Sequence, residues 1–72
     1  MTMQRFGEKL RTLRRRRSMS VRELAAALGY ASHSYIGDVE LGKKHPTIEL
    51  ALKVADFFGV TVDQLVRDEQ DV

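Results

Sequence analysis

Helix start and stop signals alternate along residues 18–46, and their close spacing limits what this chain can fold into. Ser20 and Glu23 form a capping box, which predicts a helix that begins at about Val21. Gly29 ends this helix, because glycine readily adopts the left-handed conformation that follows a helix C-terminus. The apolar residues between these signals repeat at helical spacing and give the helix one buried face: Leu24, Ala25 and Leu28.

A second short helix follows the turn. Ser32 is its predicted N-cap and Gly42 ends it, while Ile36 and Val39 form its apolar face. Ala25 lies one turn before the first glycine, where a small side chain lets two helices meet at a steep angle. A helix, a turn that contains glycine and a second helix form the supersecondary unit whose second helix can enter the major groove of DNA.

Similar signals predict three more helices and no strand, so the expected fold is an all-α, compact five-helix domain. The first helix is expected over residues 3–16, with a stripe of apolar side chains. Thr47 caps a fourth helix that Gly59 ends, and Thr61 and Gln64 form the capping box of a fifth. We expect the domain to cover residues 1–67.

The fourth helix contains more apolar residues than one stripe holds. The expected stripe consists of Ile48, Ala51, Leu52, Val54, Ala55 and Phe58. Leu50 and Phe57 fall outside this stripe. They are either apolar surface for a partner or the periphery of the core.

The length and composition of the chain exclude several classes of protein. Seventy-two residues suffice for one small domain, and we expect residues 68–72 to be a frayed tail. The absence of cysteine excludes disulfides and zinc–thiolate sites. The apolar runs are too short to span a membrane, and the N-terminus lacks the apolar core of a signal peptide. We therefore expect a cytoplasmic protein without a membrane partner.

The net charge of +2 is unevenly distributed along the chain. Residues 1–44 contain ten Lys and Arg against four Asp and Glu, whereas residues 45–72 contain two against six. Such asymmetry is typical of a basic face that binds a polyanion and an acidic face directed away from it. On charge alone, a solvated helix surface is an equal alternative.

No pattern of catalytic or metal-binding residues is present. His33 and His45 are twelve positions apart without a clustered third ligand, and no phosphate-binding glycine loop or nucleophile elbow occurs. We therefore expect no enzymatic activity, no metal and no cofactor.

The chain resembles the Cro/cI-type, or xenobiotic-response-element-type, helix-turn-helix family of phage repressors and their bacterial relatives. The resemblance spans roughly residues 6–66 and depends on many short elements in order: Leu10…Leu13-Arg14, Ser20…Glu23-Leu24-Ala25, Leu28-Gly29, Ser34-Tyr35-Ile36, Val39-Glu40, Gly42-Lys43-Lys44, Pro46-Thr47-Ile48 and Phe58-Gly59-Val60. It implies a lambda-repressor-like domain whose helix-turn-helix is formed by helices 2 and 3. It also implies sequence-specific binding of double-stranded DNA by a small transcriptional regulator, a repressor or controller protein.

Three departures from the family pattern affect the expected DNA contacts. Val21 replaces a glutamine whose amide usually holds a phosphate, and Leu41 replaces a residue that is basic or polar in many members. The turn at residues 29–32 contains one extra residue, which changes how the second motif helix is aimed. Val21, Leu41 and Asp38 favour the alternative function, a protein-interaction module or antitoxin-like partner with weak DNA affinity.

The candidate DNA contacts fall into two groups. The N-terminal end and outer face of the second motif helix are expected to contact base edges through His33, Ser34, Gly37 and Asp38. For Asp38, a local ion pair is an equal alternative. Phosphate contacts are expected from helix starts and basic loops, and for Tyr35 from the resemblance: Ser20, Arg22, Ser32, Tyr35, Lys43, Lys44 and His45.

The resemblance also implies a largely buried ion pair between Arg14 and Glu40. A homodimer on an inverted repeat is expected, because one motif helix contacts only a few base pairs. The candidate dimer surface contains Phe57, Val62 and Val66. A small-molecule effector is not expected, because 72 residues leave no room for a second domain.

Overall fold

The computed structural model describes residues 3–72, which form five α-helices and contain no strand. The helices are α1 (Phe6–Arg16), α2 (Val21–Ala27), α3 (His33–Glu40), α4 (Ile48–Phe58) and α5 (Val62–Val66). The predicted fold class and element order are therefore confirmed. The first helix begins later than expected, because Met3 has a φ of 52°, outside the helical region.

The helix starts follow the predicted caps. The Ser20 hydroxyl oxygen accepts from the Glu23 amide at 3.0 Å, and the Glu23 carboxylate accepts from the Ser20 amide at 2.8 Å. Thr61 and Gln64 form the same reciprocal box at α5. These local bonds satisfy amides that have no partner within their own helix, and they fix where each helix begins.

The five helices enclose one apolar core. Its fully buried members come from every helix: Phe6, Leu10, Leu24, Ile36, Leu50, Val54 and Leu65. Helix α3 packs against both α1 and α2, while α5 packs against α4 and α1. The core thus contacts the inner faces of α2 and α3 and leaves their outer faces exposed.

The buried face of α4 differs from the prediction. Leu50 is completely buried, whereas Ile48 is 79% exposed and Leu52 is 51% exposed. At 100° per residue, Leu52 lies about 160° from the buried Val54, while Leu50 lies only about 40° from it. The face of α4 that is packed against the other helices is therefore centred near Val54, and Leu52 points to the opposite side.

Helix α1 crosses the C-terminal end of α3 at Gly7. A Cβ atom built at this position would lie 2.4 Å from the Val39 carbonyl oxygen and 2.9 Å from the Glu40 carbonyl oxygen. Both neighbours are backbone atoms and cannot move independently of α3. Glycine is therefore required for the two helices to approach this closely.

The C-terminal residues lie against α1. Lys9 is only 1% exposed, and its ammonium donates to the Gln64 and Arg67 carbonyl oxygens at 2.6 and 2.7 Å. Arg5 donates to the Asp68 carbonyl oxygen at 2.7 Å and to an Asp71 carboxylate oxygen at 2.7 Å. The sequence predicts fraying for residues 68–72, but in this structure Asp68 and Asp71 are hydrogen-bonded to Arg5, just before α1, and Val72 is hydrogen-bonded to Arg16 within it.

Within residues 3–72, no helix combines the length and the apolar character that a membrane span requires.

Candidate nucleic-acid interface

The outer surface of α3 carries the residues predicted to contact base edges. Ile36 and Val39 turn inward and are at most 2% exposed. His33 and Ser34 are exposed in the first turn, and Asp38 is half-buried on the following turn. The apolar periodicity of α3 thus identified its inner face, and the polar side chains of its first two turns remain accessible.

No neighbouring atom among the described residues requires glycine at position 37 of α3. A Cβ atom here would have only the Val21 Cγ1 atom nearby, at 4.0 Å, which is an ordinary van der Waals contact. Packing against α2 therefore does not require glycine at this position.

Asp38 is held by the loop that follows its own helix. Its carbonyl oxygen accepts from the Lys43 amide at 2.8 Å and from the Lys44 amide at 3.4 Å. Its carboxylate lies 3.9 Å from the Lys44 ammonium, with both side chains partly exposed. This geometry corresponds to the local ion pair, one of the two alternatives for Asp38, and it is a loose pair in solvent.

Most of the predicted phosphate contacts lie on the exposed surface. Ser20 and Ser32 cap α2 and α3, and Arg22 is on the first turn of α2. These three side chains are exposed, as are those of the loop after α3: Lys43, Lys44 and His45. Exposed hydroxyl and basic side chains therefore lie both before the N-terminus of α3 and after its C-terminus in the sequence.

Tyr35 is the exception among the predicted phosphate contacts. Its hydroxyl oxygen is buried and has no hydrogen-bond partner within residues 3–72. The ring lies 5.5 Å from the Tyr30 ring, between centroids, and the Lys53 ammonium lies 4.5 Å from the Tyr30 centroid. Burial raises the pKa of Tyr30, so this ring remains a neutral phenol at ordinary pH. Tyr35 must rotate outward before its hydroxyl can reach a phosphate.

Arg14 and Glu40 join α1 to α3 through two short hydrogen bonds. The Arg14 Nε and Nη2 atoms donate to the two carboxylate oxygens of Glu40 at 2.8 and 2.9 Å. The remaining Nη1 donates to the Met19 carbonyl oxygen at 2.9 Å, in the segment that leads into α2. The side chains are 13% and 3% exposed, and the hydrogen bond to Glu40 raises the pKa of Arg14. One guanidinium thus connects three segments that together orient the α2–α3 pair.

Only part of the predicted dimer surface is accessible. Val66 is 7% exposed and belongs to the core, because it lies on the side of α5 that packs inward. Phe57 is half-buried beneath the Arg17 guanidinium, 5.0 Å from its ring centroid, and Val62 is half-buried. Within residues 3–72, the large apolar side chains that are exposed are Leu41, Ile48 and Leu52, of which the last two lie on the outer side of α4.

Among the described residues, no group of three or more potential ligand side chains is arranged to hold a metal ion.

Comparison with known proteins agrees with this architecture. The model of the helix-turn-helix domain family matches residues 5–68, which confirms the resemblance stated from the sequence. The chain is similar to the cryptic phage CTXphi transcriptional repressor RstR of Vibrio cholerae, with 34% identity over 65 residues, covering 90% of this chain and 58% of the relative. It is also similar to the HTH-type transcriptional regulator MJ0272 of Methanocaldococcus jannaschii, with 35% identity covering 88% of this chain and 94% of that one.

A solved structure matches over nearly the same length. The restriction-modification controller protein C.AhdI from Aeromonas hydrophila superposes with a TM-score of 0.76 and 32% identity, covering 88% of this chain and 94% of that chain. Some curated relatives are considerably longer: the chain spans only 31% of the transcriptional activator BcrR of Enterococcus faecalis. The region that all of these proteins share with this chain is the five-helix domain described above.

Proposed function

The chain belongs to the helix-turn-helix domain family, and from this premise we propose that it is a small transcriptional regulator that binds double-stranded DNA sequence-specifically. Its relatives include a phage repressor and a restriction-modification controller protein, so a repressor or controller role in the cytoplasm is the form we propose. The observation that carries the proposal is the exposed outer face of α3, which the Arg14–Glu40 bonds and the core hold in a fixed orientation.

The proposed contacts divide into base recognition and backbone binding. His33 and Ser34 can donate to or accept from base edges in the major groove. The helix itself, with the sequence HSYIGDVE, contains no Arg, Lys, Asn or Gln for bidentate base contacts. Direct recognition is therefore modest, and sequence-dependent DNA shape contributes to specificity.

Phosphates on either side of the groove would be bound by the elements that flank α3. The α2 start, with Ser20 and Arg22, holds one phosphate through hydrogen bonds and charge. Lys43 and Lys44 bind the backbone beyond the C-terminal end of α3. Lys44 leaves its loose pair with Asp38 at little cost, since exposed pairs contribute only about 0–1 kcal/mol.

Two copies are proposed to bind as a two-fold symmetric dimer. The exposed Ile48 and Leu52 side chains supply an apolar patch on α4, with the half-buried Phe57 and Val62 as further candidates. A closed two-fold dimer predicts an inverted repeat whose half-site centres are about 10–10.5 base pairs apart.

The test of the proposed function is a titration of labelled random duplexes at two salt concentrations, followed by selection of bound sequences from random DNA. Binding that weakens steeply with salt, together with an enriched inverted repeat, is the expected result. Absence of binding at low salt would refute the DNA-binding function. It would favour the protein-interaction module, for which the exposed Leu41 is the supporting observation.

A further inference from the structure

A groove of about 430 Å³ lies between α1 and the C-terminal end of α3, and the contacts proposed above do not use it. Arg11 and Arg15 line its α1 side, while Leu41 and Gly42 line its α3 side. The two arginines are one helical turn apart, so their guanidinium groups extend from the same side of α1.

Two arginines and two glutamates line this groove, and both glutamates pair with arginines from outside the lining. Glu40 also lines the groove, but its two carboxylate oxygens already accept the short hydrogen bonds from Arg14. The Arg11 Nε lies 3.6 Å from Glu40, beyond hydrogen-bond distance, and the Arg11 side chain is 38% exposed. Arg11 therefore keeps donors available for another acceptor.

The remaining charges follow the same pattern. Glu8, on the same groove, lies 3.2 Å from the Arg5 guanidinium. Arg15 is exposed, and within residues 3–72 it forms no ion pair. Each carboxylate of the groove thus has a closer cation from outside the lining, which leaves Arg15 unpaired and Arg11 only loosely paired with Glu40.

One wall of the groove, formed by Leu41, lies on the same side of α3 as its outer face. Leu41, which is 62% exposed, lies seven residues after Ser34, so the two side chains are only about 20° apart around the helix axis. If α3 lies in the major groove with Ser34 toward the base edges, this groove therefore faces the adjacent phosphates.

The groove is also continuous with the basic loop after α3. Gln4, Gly7 and Gly42 line both this groove and a neighbouring cavity, and that second cavity carries Lys44 and His45. One line of cationic side chains therefore extends from the loop along α1.

We propose that Arg11 and Arg15 bind the DNA sugar-phosphate backbone beside the C-terminal end of α3. This inference rests on the proposed function, since it assumes that α3 lies in the major groove. Arginine suits the role, because its planar guanidinium can donate two parallel hydrogen bonds to one phosphate. Contacts of this kind raise affinity for every sequence and fix the position of the domain, without reading bases.

The test measures the salt dependence of DNA binding for single substitutions in the full chain. Arg15→Gln is the principal variant, because its side chain has no ion pair to lose, and Arg11→Gln is the second. The matched control is Arg16→Gln on the same helix, whose guanidinium instead donates to the Val72 carbonyl oxygen at 3.0 Å. Circular dichroism establishes that each variant is folded.

We expect the slope of log K against log salt to become less steep by about 0.9 for Arg15→Gln and for Arg11→Gln. The loss of affinity between about 50 and 200 mM salt then becomes roughly 3.5-fold smaller for each variant. Base preference should not change, and Arg16→Gln should keep the wild-type slope.

If wild-type binding depends steeply on salt and both Arg11→Gln and Arg15→Gln keep the wild-type slope of log K against log salt, this inference is overturned. The proposed DNA-binding function is then unaffected. A wild-type chain that does not bind DNA at low salt would overturn both.

Discussion

The Arg14–Glu40 pair is expected to be the most sensitive polar contact in the molecule. Glu40→Gln leaves the Arg14 guanidinium, only 13% exposed, without a compensating charge. Removing one partner of a buried pair costs roughly 3–5 kcal/mol, which is comparable to the total stability of a small domain. Thermal melting should therefore show a largely unfolded variant at room temperature.

The matched control for this prediction is Glu49→Gln. Glu49 pairs with Lys53 at 3.2 Å but is 70% exposed, so its loss should change stability by less than about 1 kcal/mol. Equal melting temperatures for Glu40→Gln and Glu49→Gln would mean that burial of the Arg14–Glu40 pair adds nothing to the stability of the domain.

The exposed side chains around α3 should separate into two functional groups. Lys43→Ala and Lys44→Ala are expected to weaken binding to all sequences and to reduce the salt slope by about 1 each, because they remove phosphate contacts. His33→Ala and Ser34→Ala should change the preferred bases. Selection from random DNA for each variant measures the difference, and the reverse pattern would mean that α3 does not face the bases.

Replacing Gly7 and replacing Gly37 by alanine should have opposite effects on the free energy of unfolding. Gly7→Ala forces a Cβ against backbone oxygens of α3, where overpacking typically costs about 1–3 kcal/mol. Gly37→Ala has room for its Cβ and should stabilise α3 by roughly 1 kcal/mol. Urea unfolding of the two variants checks both signs. A Gly7→Ala protein as stable as the wild type would contradict the close approach of α1 to α3.

The attachment of α5 to α1 predicts a pH dependence through Lys9. Burial lowers the pKa of Lys9 in the folded state below its ordinary value, so the unfolded chain binds more protons in the alkaline range between the two values. The stability contributed by Lys9 therefore increases as pH rises through that range. At neutral pH, Lys9→Met should still destabilise by about 1–3 kcal/mol, because the Gln64 and Arg67 carbonyl oxygens lose their donor.

Unfolding by urea at several pH values tests this prediction. The stability difference between wild type and Lys9→Met should grow toward alkaline pH. A difference that shrinks with pH would mean that Lys9 is not desolvated.

For the whole molecule, the proposed dimer predicts that Leu52→Glu dissociates it without unfolding it. Leu52 is half exposed in the single chain, so a charge there is tolerated by the fold. Burying a leucine side chain contributes about 1.5–3 kcal/mol, so dimer affinity should fall at least about tenfold. Sedimentation and cooperative binding to an inverted repeat measure the effect, with Ala26→Glu on exposed α2 surface as the control. If Leu52→Glu associates as strongly as the wild type, this surface of α4 is not the dimer interface.

The sequence by itself determined the order of the helices and where most of them begin and end. Ser20, Ser32, Thr47 and Thr61 bond to amides two or three residues away, so their effect is complete within one helical turn. The exposed start of α3 also followed from sequence, because the spacing of Ile36 and Val39 leaves one side polar.

Only the tertiary structure decided which surfaces meet. Apolar residues surround much of α4, so periodicity alone does not select its buried face, and the neighbouring helices bury Leu50 rather than Leu52. Likewise, the burial of Lys9 and the need for glycine at position 7 depend on atoms more than 30 residues away in sequence. The Tyr35 ring packs beside Tyr30 and its hydroxyl oxygen is buried, which the helical spacing of α3 does not predict. Local hydrogen bonds are encoded within a turn, whereas burial is a property of the assembled helices.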